Sequence, residues 1–182
     1  MTEKQRIREI IKGDTSAFGY FVDTYQDMAV SIAFRICKNK VEAEDIAQNS
    51  FVKAFRNLHA FKRRSKFSTW FYRIVYNTAI SEVRKSVHKT EFVDYKHTNL
   101  KAAYSEFDTS AGIAEKEQKQ MIEEAMSKIP GSEAVVLTLF YLEENSIKEV
   151  AKIMGLTPSN VKVKLHRGRK NLAKVIKKEN IL

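Results

Sequence analysis

Apolar residues recur along this chain every three or four positions, in stretches separated by short polar breaks. In the first stretch this spacing runs from Phe18 to Ile36, after a cap from Asp14 or Thr15, and Lys38-Asn39-Lys40 ends it. A second stretch has one apolar face that carries Ile46, Ala47, Phe51, Ala54, Phe55 and Leu58. After a basic loop at 59–67, Ser68 or Thr69 is expected to cap a third helix. The pattern predicts a small three-helix core.

The periodicity fails over residues 90–111, and this segment is expected to be a linker. Helical spacing returns at Gln118 and ends at Pro130-Gly131, and three further helices are predicted at 132–141, 146–154 and 158 to about 178. We therefore expect an all-α fold of two small helical domains, residues 1–89 and 114–182, joined by an irregular linker at 90–113. The sequence leaves open whether the two domains pack together.

Composition agrees with this fold and points to a polyanionic partner. The 182 residues are 43% hydrophobic and include only six Gly and two Pro. The net charge of +10 favours binding to nucleic acid or to an anionic membrane surface. No apolar run approaches the roughly 18 residues of a spanning helix, and the N-terminus is polar rather than signal-like. We expect a cytoplasmic protein without membrane insertion.

The residue types that hold metals and cofactors are sparse. Cys37 is the single cysteine, which excludes an intramolecular disulfide and a cysteine-cluster metal site. The four histidines are dispersed along the chain, without metal-binding i, i+4 spacing. No cofactor, metal or catalytic residue is expected.

The most specific signal lies between residues 146 and 170. Ser146 and Glu149 have capping-box spacing, and they begin a helix whose apolar stripe ends just before Gly155. Gly155 permits a sharp reversal, and Thr157 with Pro158 suits the start of the next helix. This sequence predicts a helix-turn-helix of the DNA-binding kind.

The exposed face of the second helix of this motif is polar and basic. Eight Lys or Arg and no acid lie between Val161 and Lys178. Residues near the start of a recognition helix reach base edges, and later ones reach phosphates. A solvated basic face on a structural helix is the alternative. The expected DNA contacts are Ser159, Asn160, Lys162, Val163, Lys164, Arg167, Arg169 and Lys170.

A second basic region lies in the first half of the chain. From Lys53 to Lys89 there are ten Lys or Arg against one acid, Glu82, interleaved with aromatic residues. Exposed rings can stack on unpaired bases. Phe55 and Phe71 lie on apolar stripes and are expected in the core. For Phe61, Phe67, Trp70 and Tyr72 the pattern leaves core packing and nucleic-acid contact open.

Together the two regions resemble the extracytoplasmic-function (ECF) type of RNA polymerase sigma factor. EAEDIAQNSFVKAFRNL at 42–58 and FSTWFYRIVYNTAISEVRK at 67–85 resemble sigma domain two. The stretch IPGSEAVVLTLFYLEENSIKEVAKIMGLTPSNVKVKLHRGRKNLA resembles sigma domain four. The length leaves no room for a further domain, which is typical of this minimal type. Asn49 departs from the family, which commonly has an acid there.

The resemblance implies partners and roles. The partners would be the clamp and flap of bacterial core RNA polymerase, promoter DNA as duplex and single strand, and an anti-sigma protein, under stress or envelope signals. Clamp contacts would come from Glu44, Asp45, Gln48 and Asn49. A flipped base of the −10 element would be surrounded by the loop residues His59, Phe61, Lys62, Arg63, Arg64 and Lys66. The single strand would be lined by Trp70, Tyr72, Arg73 and Asn77, and the second helix of the helix-turn-helix would read the −35 duplex.

Two other functions stay open at this point. A stand-alone helix-turn-helix regulator would bind a symmetric operator tightly without polymerase. An enzyme acting on nucleic acid would need a second acidic cluster besides Glu42, Glu44 and Asp45.

Overall fold

The structure is a computed structural model that describes residues 1–89 and 113–178. All regular elements in these two ranges are helical, as the sequence predicted. The predicted linker at 90–113 lies outside the described residues, except for its last position, which begins a helix. The α-helices are α1 Glu3–Lys12, α2 Gly19–Cys37, α3 Lys40–Arg56, α4 Phe67–Lys89, α5 Ile113–Ser127, α6 Gly131–Leu137, α7 Ile147–Met154 and α8 Pro158–Lys178.

In the N-terminal half (residues 1–89), α2, α3 and α4 pack against one another around a core of aromatic rings. Phe21 and Phe71 are completely buried. The Phe51 and Phe71 rings stack with centroids 4.4 Å apart, and Phe21 lies 4.3 Å from Phe67. This packing fixes α4 relative to the end of α3, where the basic loop lies.

The N-terminal helix α1 was missed by the sequence analysis. Thr2 caps it, since its hydroxyl accepts from the backbone N–H of Gln5 while the Gln5 side chain accepts from the N–H of Thr2. Gly13 ends the helix in the left-handed region, at φ 114°. Ile7 and Ile10 are buried. These signals are present in the sequence, and the polar character of the segment concealed them.

Two predicted helix starts were displaced. Asp14 caps a 3₁₀ turn at Thr15–Phe18, and the long helix begins only at Gly19. α4 begins at Phe67, so neither Ser68 nor Thr69 is its cap. The Phe67 ring is 2% exposed and packs on Phe21, and this burial draws Phe67 into the first helical turn.

The C-terminal half (residues 113–178) contains the predicted helix-turn-helix, α7 and α8, supported by α5 and α6. The sequence predicted one helix at 132–141. The α-helical part, α6, ends at Leu137, and the chain continues as a π-helical turn at Thr138–Leu142. Asn145, which is 3% exposed, donates to the Leu139 carbonyl from both its backbone N–H and its side chain. These bonds hold the widened turn and place the start of α7.

The two halves pack against each other, a question that the sequence left open. α2 contacts α6, and α4 contacts α7. Gly131 lies so close to α2 that a Cβ atom there would be 2.4 Å from the Arg35 carbonyl oxygen. The buried residues of both halves form one continuous core.

Candidate nucleic-acid interface

The turn between α7 and α8 has the geometry that the sequence predicted. The Ser146 hydroxyl accepts from the Glu149 backbone N–H at 3.3 Å, and the Glu149 carboxylate accepts from the Ser146 N–H at 2.9 Å. Hydrogen bonds from the Ser146 backbone and hydroxyl lower the pKa of Glu149. Gly155 adopts φ 66°, and the Thr157 hydroxyl accepts from the Asn160 N–H at 3.2 Å. These contacts define the turn and the start of α8.

α8 buries one face and exposes the other. Val161 and Leu165 are buried against the rest of the C-terminal half. The opposite side is a continuous exposed surface, here called the α8 face, formed by Ser159, Asn160, Lys162, Val163, Arg167 and Lys170. Its first residues are uncharged and its later ones are cationic. This order would allow the first residues to contact base edges and the later cationic residues to contact phosphates.

Two of the eight predicted duplex contacts point elsewhere. Lys164 is half-buried and donates from Nζ to the Ser132 hydroxyl at 2.9 Å. The Arg169 guanidinium lies over the Tyr141 ring, 5.6 Å from its centroid. Both side chains therefore contact the π-helical turn or α6 rather than extend the α8 face.

The basic loop of the N-terminal half lies between Leu58–Ala60, a 3₁₀ turn, and α4. The loop residues Lys62, Arg63, Arg64 and Lys66 are exposed, and so is His59 in the preceding turn. Arg63 has φ 56°, which turns the loop sharply. The Phe61 ring is half-buried and lies 5.0 Å from the half-buried ring of Trp70.

A cavity of about 400 Å³ opens beside this loop, here called the α3–α4 cavity. It brings together two predicted residues, Trp70 and Asn77, with the exposed Lys53 and Asn57, which the sequence analysis missed. Lys53 donates to the Thr78 hydroxyl at 3.1 Å, so its ammonium is held at the wall. The remaining lining residues are Ala60, Ile74, Thr78 and Ser81. Lys53 and Asn57 are four positions apart at the end of α3, so they lie on the same side of the helix. This spacing is the sequence feature that could have indicated both as candidate site residues.

The four aromatic residues for which the sequence left core packing and nucleic-acid contact open differ in burial. Phe67 is core, at 2% exposed, and Phe61 and Trp70 are half-buried at the loop. Tyr72 is 1% exposed, and its hydroxyl donates to the Glu143 carboxylate at 2.9 Å. Burial, followed by the charge of Glu143 and the hydrogen bond to it, raises the pKa of Tyr72. The neighbouring Arg73 and Asn77 are exposed, but in this arrangement Tyr72 lines no open surface.

The residues expected to contact polymerase form one face of α3. Asp45, Gln48 and Asn49 are exposed and Glu44 is half-buried. Their i, i+1, i+4, i+5 spacing places them side by side on the helix. Asn39 caps α3 by accepting from the Glu42 N–H at 3.2 Å. This acidic and amide surface, the α3 face, is separate from the basic loop.

Within the described ranges, no three His, Cys, Asp or Glu side chains come together as metal ligands. Searched over the same residues, the helices are all too short or too polar to span a membrane.

Comparison with known proteins assigns both halves. The family model Sigma-70 region 2 matches residues 21–88, and Sigma-70, region 4 matches residues 119–172. The chain is 34% identical to the ECF RNA polymerase sigma factor SigW of Bacillus subtilis, over 97% of this chain and 98% of SigW. It is 26% identical to the ECF RNA polymerase sigma-E factor of Escherichia coli K12, over 93% of this chain and 91% of that protein.

Two solved structures share the fold. Sigma factor RpoE in complex with the anti-sigma factor NepR from Bartonella quintana aligns over 88% of this chain and 96% of its own, with TM-score 0.68 and 20% identity. CnrH in complex with the cytosolic domain of CnrY aligns over 96% and 97%, with TM-score 0.66 and 18% identity. Sigma factors are transcription initiation factors rather than enzymes. The chain, with both sigma regions in order and a curated relative matched over nearly its full length, belongs to the ECF family of RNA polymerase sigma factors.

Proposed function

We propose that this chain directs bacterial core RNA polymerase to promoters through three separate surfaces: the α3 face for the clamp, the basic loop with the α3–α4 cavity for the −10 element, and the α8 face for the −35 element. One observation carries the proposal. The acidic α3 face ends one turn before Lys53, the α3 residue that lines the α3–α4 cavity, and the basic loop and the α8 face lie on other elements, so polymerase and DNA can be bound together.

The α3–α4 cavity is proposed to hold an unpaired base of the −10 element. It offers the Trp70 ring for stacking, amide groups of Asn57 and Asn77 for hydrogen bonds to a base edge, and the Lys53 ammonium near its wall. Flipping a base costs a few kcal/mol, which stacking and hydrogen bonds in a pocket offset. The exposed cations of the loop would hold the adjoining phosphates.

The −35 contacts are proposed for the six residues of the α8 face, with Ser159 and Asn160 nearest the bases and Arg167 and Lys170 on phosphates. Lys164 and Arg169 would reach DNA only by leaving Ser132 and Tyr141.

The polymerase flap is proposed to contact an apolar cavity of about 520 Å³ that is lined by the C-terminal half and by Arg35 of α2. Ile122 and Leu142, which line it, are 47% and 61% exposed, and Met126, Leu137 and Leu172 lie deeper. Exposed apolar side chains around a concave surface are typical of a protein-binding site.

A cytoplasmic location, response to stress or envelope signals and control by an anti-sigma protein are part of the same proposal. The sigma factor RpoE of Bartonella quintana, which shares the fold, was solved in complex with the anti-sigma factor NepR, and this supports the last point.

The clamp assignment is tested by measuring core polymerase affinity for the Asp45→Ala and Gln48→Ala variants. Both should lose affinity without losing stability, because the side chains are exposed. Asp23→Ala, which removes an exposed acid on α2, is the matched control and should bind like wild type. Unchanged affinity in both α3 variants would refute the clamp contact.

A further inference from the structure

The apolar cavity of about 520 Å³ that α2, α5, α6, the π-helical turn and α8 line has the size and lining of a small-molecule site. Ligand pockets in proteins enclose about 300–1,000 Å³ and are mostly apolar, with a few polar groups that orient the ligand. Ile122 and Leu142 are exposed at this cavity, whereas Met126 and Leu137 are buried. Its apolar lining therefore extends from the surface to the core.

The charged side chains of this lining are mostly cationic. Among the described residues that form it, Arg35 from α2 and Arg169 from α8 stand against one acid, Glu123 from α5. Glu123 is already paired, because its carboxylate lies 2.6 Å from Nη2 of Arg35. The cavity therefore carries a net positive charge, which favours an anionic ligand.

Arg35 has a donor that the protein does not use. Its side chain is completely buried, Nε donates to the Thr138 hydroxyl at 3.3 Å, and Nη2 faces Glu123. Nη1 has no hydrogen-bond acceptor among the described residues. Buried polar atoms in native proteins nearly always have a partner. A carboxylate would supply it, because the planar guanidinium group matches a carboxylate in geometry and charge.

We propose that this cavity binds a small amphipathic carboxylate, whose alkyl chain packs on the apolar lining and whose carboxylate accepts hydrogen bonds from Nη1 of Arg35. Because Nη1 is not accessible to water, side chains of the lining shift to admit the carboxylate. Met126 is the one we expect to move, since it is unbranched and flexible. The exposed Arg169 attracts the anion from solution.

Decanoate, kept below its micelle concentration, is the probe, and its affinity for the free full-length protein is measured by isothermal titration calorimetry. Decanoate should bind about tenfold more tightly than decanol, because a hydrogen bond to a charged group is stronger than one to a neutral group. Decyltrimethylammonium, which has a cationic head, should not bind. Equal affinity for decanoate and decanol would overturn the proposal.

A double variant tests the role of Arg35. Arg35→Met with Glu123→Met removes both members of the buried pair, so that it leaves no unpaired charge and does not change the net charge of the protein. It should still bind decanol but lose the preference for decanoate. A retained preference would show that the carboxylate binds elsewhere, and circular dichroism checks that the double variant is folded.

A single variant should have the opposite effect. Glu123→Gln removes the carboxylate that competes for Arg35, so decanoate should bind more tightly while decanol binds as before. Glu124→Gln is the matched control, because it removes the same charge from an exposed neighbour on α5. If Glu124→Gln tightens decanoate binding as much as Glu123→Gln does, the gain comes from net charge alone and the proposed site is refuted.

This ligand site goes beyond the proposed function and can fail independently of it. Calorimetry of the free protein needs neither polymerase nor promoter, whereas failure of the sigma assignment would abolish transcripts in run-off transcription with core polymerase. One consequence does rest on the proposed flap contact, because a carboxylate in this cavity would exclude the flap. Saturating decanoate should therefore inhibit transcription by wild type more than by the double variant, each relative to its own activity without decanoate. Equal inhibition would refute exclusion of the flap.

Discussion

Trp70 is placed to do two things at once. Part of its ring packs on Phe61 and Phe67, with centroids 5.0 and 5.6 Å away, and part lines the α3–α4 cavity. A ring held by neighbours loses little freedom when a base stacks on it, so it is a good site for capturing an unpaired base.

We predict that Trp70→Ala impairs promoter opening more than it impairs polymerase binding. Loss of one stacking partner should cost about 1–3 kcal/mol in the open complex. Permanganate footprinting of unpaired thymines measures opening, and core affinity is measured in parallel. Trp70→Phe should restore much of the opening, because it keeps an aromatic face. Normal opening by the alanine variant would show that Trp70 is only a packing residue.

For single residues, the sequence identified the candidate aromatic rings but could not show which are core residues and which are accessible to nucleic acid. Phe67 and Trp70 are three positions apart and equally apolar in pattern, and only packing against Phe21 shows which one is core. Tyr72 was placed on the single strand by family resemblance, but its hydroxyl is bound to Glu143, 71 positions away. Helical periodicity reports neighbours within a few turns and carries no information on such a contact.

Among the elements, the helix-turn-helix depends on a small set of caps. Ser146 and Glu149 satisfy each other's backbone donors, and Gly155 makes the turn. We predict that Ser146→Ala lowers the free energy of unfolding by about 1 kcal/mol, since it leaves the Glu149 N–H without its acceptor. Denaturant unfolding measures the change. Ser146→Thr should keep most of the stability, and equal losses in both variants would contradict a capping role.

The α8 face gives a prediction about salt. Lys162 is exposed and lies one turn after Ser159, at the edge of the α8 face. We expect Lys162→Ala to reduce the slope of log affinity against log salt by about one unit for holoenzyme on a −35 duplex. Lys177→Ala, exposed in the last turn of α8, is the control. An unchanged slope for Lys162→Ala would remove this residue from the phosphate contacts.

Element boundaries were predicted well where caps are local and poorly where tertiary packing decides them. α8 begins at Pro158 as expected, because Thr157 and Pro158 mark its start in the sequence. The end of α6 was misplaced, because the π-helical turn depends on Asn145 binding back to the Leu139 carbonyl. α1 was missed although Thr2, Gln5 and Gly13 encode both of its ends.

Over the whole molecule, we expect the packing of the two halves to depend on pH through Lys38. Burial, aided by the charge of Arg35, lowers the pKa of Lys38 from 10.5 to about 8. Between these values the closed form holds fewer protons than a form in which Lys38 is solvated, so closure is favoured as pH rises from 8 towards 10. We predict a falling radius of gyration over this range, measured by small-angle X-ray scattering.

Cys37 requires a control in that measurement. Burial raises the pKa of its thiol, which acts in the opposite direction in the same pH range. The comparison is therefore made in a Cys37→Ala background, with and without Lys38→Met. The change with pH should disappear in the Lys38→Met variant. A radius that rises with pH in the Cys37→Ala protein would contradict the proposed linkage.

The packing of the halves is the part of the fold that the sequence could not give. Arg35 meets Thr138 across 103 positions, and Lys38 meets Ser127 across 89. Each residue fits its own helix whether or not the partner is present, so no local pattern marks the contact. The two domain types could be predicted from the sequence because helix caps, apolar stripes and charge asymmetry are local features.

Run-off transcription from an ECF-type stress promoter, with bacterial core polymerase and with or without this protein, tests the central claim most directly. A gel shift of the same promoter with the protein alone accompanies it. We predict transcripts only when protein and core are both present, and a weak shift by the protein alone. Tight binding to a defined site without polymerase, combined with no initiation, would contradict the account and indicate a stand-alone regulator.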